Sequence, residues 1–169
     1  MKKKLLLLTI VLIFSIGTVT AASGDSMTIG GVVPLVLDLT LVQAGTADDL
    51  TLKTGVDTED VVIATTTIAT NSSAGWTLVV MSENGSNLIN EETDSIAYTM
   101  SYATTSGGVS TTVATDALLL STGTDIADSD ARTGESTPEV ANLTISYPRS
   151  LTYAAGYYSD LLTITLRAK

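Results

Sequence analysis

Apolar residues recur at every second position along most of this sequence, and few stretches repeat at the spacing of a helix. "LVLDLTLV" (35–42) sets Leu35, Leu37, Leu39 and Leu41 against Val36, Asp38, Thr40 and Val42. "YYSDLLTITL" (157–166) sets Leu162, Ile164 and Leu166 against Leu161, Thr163 and Thr165. A period of two is the mark of a strand with one buried face. The same reading predicts strands over "MTIGGVV" (27–33), "DLTLK" (49–53), "VVIATTTIAT" (61–70), "GWTLVVMSE" (75–83), "NLIN" (87–90) and "IAYTMSYA" (96–103). "VSTTV" (109–113), "ALLLS" (117–121) and "ANLTISY" (141–147) continue the series. Turn chemistry separates these runs; Asn84-Gly85 is a strong hairpin dipeptide. Strands about every ten residues, with helix limited to a short turn, predict an all-β sandwich. Trp76, Leu78 and Val80 share one face and are expected in the core, and Tyr98, Tyr102, Tyr147 and Tyr158 are expected to pack within the sheets. The polar, acidic stretch 121–139 reads as an exposed loop.

The first 22 residues fall outside this pattern. Lys2, Lys3 and Lys4 precede an apolar run, which "TAAS" closes with small residues. That is the layout of a secretory signal peptide, with an apolar run of about 15 residues where a spanning helix needs ~20. The expected organisation is a signal peptide (1–22), a candidate donor or first strand (23–33) and a β-sandwich domain (34–169). After cleavage 169 − 22 = 147 residues remain, enough for one domain with a core. All 18 acidic residues lie beyond the signal and three of the eight basic ones lie within it, so the mature charge is 5 − 18 = −13. Such a surface repels nucleic acid and anionic membranes, and neither is expected as a partner. The expected location is the periplasm in transit, then the cell surface or an extracellular fibre, with no membrane attachment after cleavage.

The chain has no cysteine and no histidine. No disulfide framework, no Ser–His–Asp or Cys–His nucleophile and no usual zinc ligand set is available. The glycine pairs at 30–31 and 107–108 lack the context of a phosphate-cradling loop. No enzyme activity and no cofactor are expected. Asp125, Asp128 and Asp130 are spaced closely enough to raise calcium, yet they lack the glycine and terminal glutamate of a calcium loop. The sequons at Asn71, Asn84 and Asn142 read as polar turn or strand-end positions.

Three stretches stand out together. "NSSAGWTLVVMSENGSNLIN" (71–90) carries Gly75 and Trp76 leading into a strand, then the turn at Asn84 and Gly85. "SIAYTMSY" (95–102) carries Tyr98, and "AAGYYSDLLTITL" (154–166) carries Gly156, Tyr158 and Asp160. In this order they resemble chaperone–usher pilins related to the spore coat protein U family. That family often has a cysteine near position 36, where this chain has valine. The resemblance implies an immunoglobulin-like sandwich lacking a final strand, which a neighbouring subunit donates. It also implies a periplasmic chaperone and an outer-membrane usher as partners, besides copies of this chain or related subunits. The candidate donor is "SGDSMTIGGVV" (23–33), where Met27, Ile29 and Val33 present one apolar face with Gly31 between them. The function expected is thus a structural subunit of a bacterial surface fibre, a pilus, fimbria or coat. The alternative is a self-complete, secreted or surface-displayed binding module, with carbohydrate as the candidate ligand.

Overall fold

The structure, a computed structural model, describes residues 29–52, 56–91, 94–107, 112–133, 137–148 and 151–169. The signal segment 1–22 and Met27 lie outside the described residues. The described residues form ten strands in chain order: β1 (Leu37–Gln43), β2 (Thr58–Thr70), β3 (Trp76–Ser82), β4 (Asn87–Ile89), β5 (Ser95–Ala97), β6 (Thr99–Ser106), β7 (Thr112–Val113), β8 (Thr124–Ser129), β9 (Glu139–Tyr147) and β10 (Leu162–Ala168). Among the described residues one 3-10 turn occurs, at Gly45–Ala47.

The protein is all-β. One antiparallel sheet has the order β1-β2-β9-β6, a second has β10-β3-β8-β7, and β4 pairs with β5 in a small hairpin. The inner faces of the two four-stranded sheets share one core, the arrangement of a β-sandwich. Alternation explains who enters it. On β3 the side chains of Trp76, Leu78 and Val80 are fully buried, and Ile68 of β2, Met100 of β6 and Leu143 of β9 meet them from the other sheet. Full burial of such a side chain contributes about 1.5–3 kcal/mol. With no cysteine, this burial and the strand ladders hold the fold.

Glycine is required at one end of β3. Gly75 has φ +95°, and a Cβ there would stand 1.9 Å from the backbone oxygen of Ser129. The close approach lets β3 pair with β8 from its first residue, Trp76 opposite Ser129.

Four expectations need correction. The stretch 121–139 is not a loop: β8 lies within it as an inner strand of its sheet, with Ile126, Ala127, Ser129 and Thr133 buried. Its acidic residues hid two consecutive apolar positions, and strand pairing overrode the polar composition. The described part of 27–33 is in no strand, and Ile29 and Val33 are 84% and 81% exposed. The described part of 49–53 forms no strand either; Leu50 and Leu52 pack against the core from a loop. "ALLLS" forms no strand: its side chains alternate, Leu119 inward and Leu118 and Leu120 outward, but its backbone makes one isolated bridge among the described residues, Ala117 to Met100, and no ladder.

Candidate functional site

The two sides of the sandwich are finished differently. On the side of β6 the gap between the sheets is stitched. Met100 and Ala117 exchange backbone hydrogen bonds of 2.9 and 2.8 Å, and Tyr102 N–H donates to the Ala114 carbonyl at 3.0 Å. Ala114 N–H in turn reaches the Ile126 carbonyl of β8 at 2.8 Å, so residues 113–117 tie the edge of one sheet to the other. No such segment spans the opposite side among the described residues. There β1 and β10 are the outer strands of their sheets, each laddered to one neighbour.

Between β1 and β10 opens a cleft of about 290 Å³. Leu41, Ile63, Leu143, Ile145, Leu162 and Ile164 give it an apolar floor and walls. Residues that alternation aims inward are left uncovered: Leu41 is 46% exposed, Leu37 is exposed, and Leu39, Ile164 and Leu166 are half-buried. A strand edge with free N–H and C=O groups beside an apolar trough is what β-augmentation uses. Sequence alternation alone put these leucines in the core; the missing cover is visible once the strand order is known.

At the Leu162 end the cleft meets a polar knot centred on Asp160. One carboxylate oxygen accepts from Ser82 Oγ at 2.6 Å and Tyr98 OH at 2.5 Å, and the other accepts from Asn84 N–H at 3.1 Å. Ser82 Oγ also accepts from Ser86 N–H at 2.7 Å, and Ser86 Oγ accepts from Leu119 N–H at 2.6 Å. Burial, and then the hydrogen bond to the Asp160 carboxylate, push the Tyr98 phenol well above its usual pKa. The knot fixes the approach to β10 against the turn after β3 and against Tyr98, which sits between β5 and β6.

The structure therefore brings together Asn84, Gly85, Tyr98 and Asp160, with Gly85 at φ +62° in the turn. Tyr158 also lines the cleft and donates to the Ala154 carbonyl at 3.1 Å. Gly156 lies beside the Asn90 side chain, while Gly75 and Trp76 sit apart at the start of β3. Trp76 Nε1 is buried with no hydrogen-bond partner among the described residues. Ile29, Gly31 and Val33 lie outside the sandwich strands. Ser86, which links the knot to Leu119, carries no spacing signal in the sequence.

Asp125, Asp128 and Asp130 do not gather. Lys169 Nζ holds Asp128 at 2.8 Å and Asp130 at 2.5 Å, and both contacts raise the Lys169 pKa. No cluster of three metal-ligating side chains occurs among the described residues. Each sequon asparagine is engaged: Asn71 with Val36 and Pro34, Asn84 with Ser159, and Asn142 with Thr65. The sequence matches no protein-family model and no curated protein.

Proposed function

We propose that this protein is an exported structural subunit of a bacterial surface fibre, whose sandwich is completed by a strand from a neighbouring subunit. The open side between β1 and β10 carries the reading. The strand order supports an immunoglobulin-like assignment, in which strands A, B, E and D form one sheet and C, F and G the other. With β1, β2, β9 and β6 as A, B, E and D, and β3 and β10 as C and F, the place of G is the open position beside β10.

The candidate donor is the apolar face of residues 27–33 from another copy or a related subunit. Met27, Ile29 and Val33 would each contribute about 1.5–3 kcal/mol on burial, before the ordering cost of the segment. Backbone hydrogen bonds to the two free edges add to this, about 0.5–1.5 kcal/mol net each. An unfilled cleft is an aggregation hazard, which is the physical need a periplasmic chaperone would meet before an usher assembles the fibre.

The test is electrophoresis of surface-sheared material with and without boiling, for the wild type, Ile29→Asp and Ile164→Asp. A ladder that collapses to monomer on boiling, and that either aspartate abolishes, is the expected result. A single monomer band in both wild-type lanes overturns the reading and favours the self-complete binding module.

A further inference from the structure

We infer that Asn71 is a positioning residue that selects exchange between subunits over insertion of a subunit's own leading segment. The inference rests on the strand-exchange reading above. Its starting point is a steric opportunity. The free edge of β1 faces the open cleft, and the residues before β1 carry the apolar alternation of a candidate strand. A hairpin reversing at Val33-Pro34-Leu35-Val36 would lay residues 27–33 beside β1, in the cleft of the same molecule. Pro34 would suit the second position of such a turn. A subunit completed in this way would neither give nor accept a strand.

Three hydrogen bonds from Asn71 oppose that reversal. Val36 N–H donates to Asn71 Oδ1 at 2.8 Å, Asn71 Nδ2 donates to the Pro34 carbonyl at 2.8 Å, and Asn71 N–H donates to the Val36 carbonyl at 3.3 Å. The first ladder pair of β1 and β2 is Leu37 with Thr70, so these bonds continue the ladder past its end. They hold the backbone of residues 34–36 against β2's end, where a turn would have to curl it away. A four-residue β-turn must bring its ends within about 7 Å, and it cannot do so while residues 34 and 36 stay bound to Asn71. Asn71 is itself anchored, since the preceding Thr70 N–H donates to Thr133 Oγ1 at 2.8 Å, and Thr133 is buried. Losing the side-chain bonds should shift the ratio of self-inserted to exchanged protein on the order of ten- to a hundredfold.

The chain has no cysteine, so an introduced pair reports cleanly. The full-length protein carrying Ile29→Cys and Ile164→Cys is oxidised, and products are sized under denaturing, non-reducing conditions, with and without Asn71→Ala. Covalent multimers in the Asn71 background and covalently looped monomers in the alanine background are expected. Multimers in both overturn the role of Asn71 while leaving the strand-exchange reading standing, whereas looped monomers in both overturn the two together, because each subunit then fills its own cleft. No cross-link in either background overturns the donor assignment and this inference with it. Asn71→Asp keeps an acceptor for Val36 and loses the amide donated to Pro34. It should give a mixed product, and it keeps the test readable where the alanine variant does not fold.

Discussion

Removing the Tyr98 hydroxyl tests whether the Asp160 knot is a structural joint. Tyr98→Phe leaves the ring in place and deletes one 2.5 Å hydrogen bond to a carboxylate. Hydrogen bonds to charged groups contribute about 1.5–3 kcal/mol. Asp160 keeps Ser82 and Asn84 as donors, so the cost belongs near the lower end, about 2 kcal/mol at neutral pH. For a sandwich of this size that lowers the unfolding midpoint by roughly 5–10 °C. Trp76, the one tryptophan and fully buried, supplies the fluorescence signal. The dependence on pH is sharper. The folded phenol has its pKa raised, so its contribution is fully present below the unfolded value of about 10 and is lost as pH rises beyond it. Above pH ~10 the unfolded state binds fewer protons than the folded one, and stability falls by up to about 1.4 kcal/mol per pH unit. The wild-type advantage over Tyr98→Phe should therefore shrink to nothing near pH ~11.5. Equal midpoints at neutral pH, or a difference that stays constant from pH 7 to about 11.5, would refute the reasoning.

Other perturbations have equally definite outcomes. Gly75→Ala forces a Cβ against the Ser129 carbonyl at positive φ, and should cost at least about 3 kcal/mol, read as a large drop in denaturant midpoint. Lys169→Ala removes two exposed ion pairs and should move the thermal midpoint by less than about 2 °C, with the difference fading in high salt. Millimolar calcium should leave the midpoint unchanged, because Asp128 and Asp130 are directed at Lys169 rather than at a shared centre; a rise of several degrees would show a metal site. Leu41→Asp, at the rim of the cleft, should leave the monomer folded by Trp76 fluorescence while weakening assembly. Loss of the folded signal instead would mean that the cleft is closed in solution.

The sequence by itself determined the class of the fold and most of its strands. Alternation is a local property: Trp76, Leu78 and Val80 must share a face whatever they pack against, and Asn84-Gly85 favours a turn in any surroundings. It also removed cysteine- and histidine-based chemistry outright. What it could not determine depends on neighbours. Ile126 and Ala127 sit among aspartates in a stretch that reads as a loop, and only the pairing of β8 with β3 and β7 makes it an inner strand. Leu37 and Leu41 look as buried as Leu78 when read by period. Their exposure arises because β1 and β10 are the outer strands of their sheets and no described segment covers the space between them. Asp160, Tyr98, Ser82 and Asn84 lie up to 78 residues apart, and no local pattern predicts that they meet. Burial and edge position are properties of the assembled sheets, so the site exists only in the tertiary structure.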